Sequence, residues 1–147
     1  MQIWMDGDAC PRPIKEVLFR AAIRTRTLLI VVANHYVPTP NSPFIKKQQV
    51  SGGFDVADHY IVNTMVAGDL IVTADIPLAD LVVSKGGAAL NPRGKMYTHD
   101  NIKQQLAVRN LNESLRSSAL LTGGVAPLNQ KDIRDFSNSL DRFLSKI

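Results

Sequence analysis

The sequence predicts an α/β fold with a mainly parallel central sheet, and three observations predict it. Short apolar runs alternate with stretches of helical period, the mark of βαβ units with right-handed crossovers. The runs LLIVVA (28–33) and LIVTA (70–74) are continuously apolar rather than alternating, as expected of strands covered by helices on both faces. The last third of the chain reads as helix, so helices close the fold.

Taken in order, Ile3-Trp4-Met5 is a short buried strand. Pro11 and Pro13 suit a turn or a first helical turn, and Ile14, Val17, Leu18, Ala21 and Ala22 follow at helical spacing. After the strand 28–33 and Asn34 comes a loop with Pro38, Pro40 and Pro43, and Phe44 to Val50 adds a short strand closed by Gly52-Gly53. A helix begins near Asp55 with Val56, Tyr60, Ile61 and Met65 inward. The strand 70–74 follows, then a short helix from Pro77 to Lys85 ended by Gly86-Gly87. Ala88 to Leu90 is read as the final strand, with Asn91-Pro92-Arg93-Gly94 as the turn after it. Ile102 and Leu106 start one C-terminal helix, and Gly123-Gly124 interrupts. Ile133, Phe136, Leu140, Phe143, Leu144 and Ile147 form the apolar stripe of another.

Bulk composition narrows the function classes. A chain of 147 residues suits one domain, which at this size buries roughly 68–70% of its unfolded surface. The 45% apolar and 20% charged content is that of a globular protein. One cysteine excludes an intramolecular disulfide and a thiolate metal cluster, and suits a reducing compartment. No apolar run approaches the roughly 18 residues of a membrane span, and Met1 leads into a strand without a basic leader. The expectation is a cytoplasmic protein with no membrane association. A net charge of +4 tilts toward phosphate-bearing partners.

In parallel sheets ligands sit beyond the carboxyl ends of the strands. The residues just past each strand are Asp6 and Asp8, Asn34, Asp75 and Asn91, all short oxygen-bearing side chains. The fold would gather them although they are far apart in sequence. Magnesium and manganese take oxygen ligands and keep several waters, so two or three carboxylates suffice. Asp6, Asp8, Asp58 and Asp75 are the candidates. Each also has a local explanation: Asp6 and Asp8 as caps of the first turn and helix, Asp58 as a first-turn carboxylate, and Asp75 as the N-cap before Pro77. His35, His59 and His99 lack metal-ligand spacing and read as solvated or locally bonded. Cys10 at a helix start has two readings, a lowered pKa or a small buried residue, and the second is favoured. Arg20, Arg24, Arg26, Lys46 and Lys47 read as solvated charge, whereas Arg93 lies best placed to meet a phosphate.

The motifs DGDACP, VVAN, GFDVAD, DLIVTADIPLA and ALNPRG, in this order and over essentially the whole chain, resemble the bacterial YaiI/YqxD family. That family's fold is similar to PIN and NYN nuclease-like domains, so the resemblance implies a three-layer PIN-like fold. It also implies metal ligands: Asp6 at the end of the first strand, Asp58 in the helix before a later strand with Asp55 beside it, and Asp75 in the T-x-D motif Thr73-Ala74-Asp75. The acidic residue that PIN domains carry in mid-chain has no counterpart in the Pro-rich loop, and Asp8 is the substitute.

Three functions follow. The first is Mg2+- or Mn2+-dependent hydrolysis of RNA, with Asp6, Asp58 and Asp75 on the metal and Asp8 supporting. Asn34, Thr73, Asn91 and Arg93 would contact substrate. The second is a non-catalytic module binding RNA or nucleotides in the same crevice. The third is a haloacid-dehalogenase-type phosphatase, in which Asp6 attacks phosphorus and Asp8 is the general acid; the missing cap and acidic pair weigh against it.

Overall fold

The computed structural model describes residues 1–53, 56–117 (backbone only from 112) and 127–146. In chain order these form β1 (Ile3–Asp6), α1 (Arg12–Thr25), β2 (Leu29–Ala33), β3 (Ile45–Gln49), α2 (Val56–Thr64) and β4 (Leu70–Val72). They continue with α3 (Ile76–Ser84), β5 (Ala88–Leu90), β6 (Met96–Tyr97), α4 (His99–Ser117) and α5 (Gln130–Leu144). Asp55, Gly123-Gly124 and Ile147 lie outside the described residues.

The six strands form one sheet in the order β3-β2-β1-β4-β5-β6. The first five are parallel and β6 runs antiparallel to β5. Ala88–Leu90 is therefore not the final strand. Met96–Tyr97 has only two residues, too few to display a period, and it exists because the turn at 91–94 folds it back onto β5.

Side-chain alternation divides the core in two. Ile3 and Met5, with Leu29, Val31, Leu70 and Val72, face α1 and α5. Trp4, Val32, Ile71 and Ala89 face the other way, against Ile61 of α2, Leu78 and Val82 of α3 and Ile102 of α4. The result is a three-layer α/β arrangement. Helix α5 meets its layer with Phe136, Leu140 and Leu144, and opens with a reciprocal capping box between Asn129 and Asp132.

Helix α5 also depends on the turn before β6. Gly94 has φ +95°, and a Cβ there would stand 2.6 Å from the carbonyl carbon of Asp135. Only glycine lets the helix backbone approach so closely. Ser139 Oγ donates to the Gly94 carbonyl at 2.7 Å, and Arg93 pairs with Asp132 inside the capping box.

Strand order decides where a ligand belongs. From β1 the chain steps outward to β2 and β3, then crosses back to β4 on the other side of β1 and steps outward again. The switch point lies between β1 and β4, and in open α/β sheets the crevice at the carboxyl ends of such a pair is the binding position.

Candidate functional site

Register builds the site at that switch point. Met5 pairs with Val72, so the next residues, Asp6 and Thr73, emerge side by side. Thr73 Oγ1 donates to Asp6 Oδ2 at 3.2 Å. The same hydroxyl accepts the Asp75 N–H at 3.0 Å. Thr73 is fully buried, so its hydroxyl is a fixed link between two carboxylate-bearing positions. Asp75 is the N-cap of α3, and its Oδ1 accepts the Leu78 N–H at 3.1 Å. The capping role foreseen for Asp75 is thus real, and it coexists with a place at the acidic edge because Oδ1 alone serves the cap.

Asp6 is 5% exposed. Burial is the largest influence on its carboxyl and raises its pKa. The Thr73 hydroxyl and the Asp8 N–H oppose that shift, and the charges of Asp8 and Asp75 add to it. A buried carboxylate beside two like charges is under electrostatic strain that a cation would relieve.

Asp8 turns toward β2. It caps neither the first turn nor α1, whose N-cap is Pro11 without a side-chain bond. Its Oδ2 accepts the Asn34 N–H at 2.9 Å, and its Oδ1 pairs with His35 Nδ1. Gly7 between the two aspartates is needed for closeness rather than for an unusual φ. A Cβ there would lie 3.1 Å from both Ala33 Cβ and Val31 Cγ1, while Gly7 N–H donates to the Val32 carbonyl.

The other candidates fall in different places. Asp58 stands half-buried in the first turn of α2, on the face of the sheet toward which Asp6 points. Asn91 organises the turn after β5: its Oδ1 accepts the Arg93 N–H at 2.7 Å and its Nδ2 donates to Tyr97 Oη at 3.0 Å. Arg93 is engaged by Asp132. The structure therefore gathers Asp6, Asp8, Thr73, Asp75 and Asn34, whereas Asn91 and Arg93 serve the β5–β6 turn. Cys10 is buried, and burial pushes its thiol up to about 12, which settles its reading as a small core residue. Among the described residues, no group of three His, Cys, Asp or Glu side chains forms a ligand set for a metal ion. As folded here, the arrangement offers a pair, Asp6 and Asp75, rather than a closed cage. Magnesium is held by one or two carboxylates plus water and phosphate oxygens in many sites, so the donor chemistry fits such an ion.

The model of the uncharacterised YaiI/YqxD family matches residues 4–146. The chain belongs to that family. Among curated relatives, a UPF0178 protein of Legionella pneumophila is 56% identical, covering 99% of both chains. A UPF0178 protein of Maridesulfovibrio salexigens is 54% identical over 99% of this chain and 97% of its own. One of Shewanella amazonensis is 54% identical over 100% of this chain and 99% of its own. No solved structure matches the chain. Among the described residues, this YaiI/YqxD-family protein has no helix long and apolar enough to cross a membrane.

His35, which its spacing marks only as solvated or locally bonded, is instead paired with a distant carboxylate of the site, Asp8. It is 27 positions from Asp8, and only the pairing of β1 with β2 brings the two together. Its one local signal was its place directly after a strand-end asparagine.

Proposed function

We propose that this protein is a divalent-metal-dependent phosphodiesterase acting on RNA, working at the carboxyl ends of β1 and β4. The observation that carries the reading is the buried, raised-pKa Asp6 joined to Asp75 through the Thr73 hydroxyl at the switch point of the sheet. Asp6 and Asp75 would hold Mg2+ or Mn2+, with water and substrate phosphate oxygens completing the ligand set; Asp58, in the first turn of α2, does not join them as a third ligand. When bound, such an ion orients and acidifies water and steadies charge on a phosphate. The chain's own residues do the rest. Thr73 keeps Asp6 in one orientation, Asp8 anchors the start of the loop after β2 through the Asn34 N–H and His35, and the exposed Asn34 would meet substrate there.

The test is hydrolysis of a fluorogenic RNA with Mn2+ by the wild-type protein, Asp6→Asn and Asp75→Asn. Turnover that falls to background in both variants and in EDTA supports the reading. Equal activity in all three proteins removes it.

A second reading, a binding module without chemistry, is favoured by the lack of a three-residue ligand set among the described residues. It expects salt-sensitive RNA binding and no turnover with any divalent metal. The phosphatase reading is disfavoured by Asp8, whose carboxylate is engaged with Asn34 and His35 and is not free to act as the general acid.

A further inference from the structure

The loop leaving β2 carries an aromatic ring that the acidic site does not use. Tyr36 is 66% exposed, the most exposed large hydrophobic side chain among the described residues. It directly follows Asn34 and His35, both held by Asp8, so its backbone is tethered to the acidic edge. Lys47 of the edge strand β3 sets its Nζ 4.5 Å from the ring centroid. Tyr36, Lys47, His35, Gln48 and Gln49 line, with Val31 and Ala33, a hollow of about 150 Å³ at the carboxyl ends of β2 and β3.

A rigid ring open to solvent, a cation over it and amide side chains alongside are the parts of a base-stacking subsite. A nucleobase presents a π-face to the ring, its phosphate meets Lys47, and Gln48 and Gln49 offer donors and acceptors to a base edge. Bases inside a duplex are already stacked on their neighbours and have no free face to give. We propose that Tyr36 and Lys47 grip one unpaired nucleotide next to the acidic edge, which makes single-stranded nucleic acid the ligand of this protein. The inference rests on the reading of that edge as a nucleic-acid site and adds to it the strandedness of the ligand and the residue that selects it.

The experiment measures fluorescence anisotropy of a labelled oligoadenylate and of a labelled blunt-ended RNA duplex, in EDTA at low salt. The proteins are wild type, Tyr36→Ala, Tyr36→Phe, Lys47→Gln and Asp6→Asn. Tyr36 is exposed, so its replacement leaves the core intact. Tyr36→Ala should weaken single-strand binding by roughly 5- to 150-fold, Tyr36→Phe should retain it, and the duplex should bind weakly and indifferently to both changes. Lys47→Gln should flatten the salt dependence. Wild-type affinity in Tyr36→Ala, equal losses for single strand and duplex, or no single-strand binding by the wild type would each overturn the proposal. Asp6→Asn separates the two readings. Tyr36-dependent binding without cleavage under any metal keeps the subsite and removes the hydrolase; Asp6-dependent cleavage with Tyr36-independent binding does the reverse.

Discussion

Two aspartates lie at opposite ends of the same strand pair, and both are buried. Asp69, at the amino end beside β4, is 1% exposed; Asp6, at the carboxyl end of β1, is 5% exposed. Asp69 accepts three N–H groups, from the Gln2 backbone, the Trp4 indole and the Val66 backbone, each at 3.0 Å. Its charge is spread over donors that tie the start of β1 to the turn entering β4. Asp6 has the Thr73 hydroxyl and the Asp8 N–H, and it faces the like charges of Asp8 and Asp75. One carboxylate is satisfied by the fold and the other is stressed by it. A buried polar group that the fold leaves under strain is a candidate for function, because stability alone gives no reason to place it there.

The largest expected effect is on the satisfied side. Asp69→Ala leaves three N–H groups without their acceptor and should cost about 3–5 kcal/mol, read as a lower urea midpoint. A loss below about 1 kcal/mol would mean that water replaces the carboxylate and that the two ends are less different than their bonds suggest.

Thr73→Val keeps volume and removes one hydroxyl. It breaks the bonds to Asp6 and from the Asp75 N–H, should cost about 2–3 kcal/mol, and should raise the Asp6 pKa further, since the first of these bonds opposes the effect of burial. A carboxyl-carbon NMR titration checks the second part, and an unmoved Asp6 would show that Thr73 does not govern its ionisation.

The smallest expected effect has the opposite sign. Asp6 binds its proton more tightly in the folded protein than in the unfolded chain, where the ordinary value is 3.8. Stability therefore falls as pH rises from that value through the raised one, and the deficit is complete above it. Asp6→Asn removes the ionisation. In EDTA it should melt above wild type at pH 7, and the gain should shrink as pH falls toward and below the ordinary carboxylate value. Destabilisation at pH 7 would make Asp6 a structural residue like Asp69 and dissolve the contrast.

The fold was largely legible. The apolar runs at 28–33 and 70–74 became β2 and β4, shortened at their ends, and the stripe of Phe136, Leu140 and Leu144 became the buried face of α5. The segment 44–50 became the edge strand β3 although four of its five strand residues are exposed. Strand β6 escaped because its pairing comes from a turn and not from a pattern. At the site, the aspartates at the strand ends were legible as a set. The Asp8–His35 pair and Asp69 were not, because the first spans 27 positions and two of the three bonds to the second span 65 and 67.

What the sequence by itself determined is local: the alternation of strands and helices, the N-cap at Asp75, the glycine turn at Asn91–Gly94, and an oxygen-bearing residue after each long strand. These follow from periodicity and from bonds that span a few residues. Tertiary structure alone decided that β1 and β4 are neighbours at a switch point, that Asp6 is strained while Asp69 is satisfied, and that Tyr36 stands exposed beside Lys47. Burial and electrostatics are sums over neighbours that the chain order does not name, so the chemistry of each aspartate had to wait for the packing.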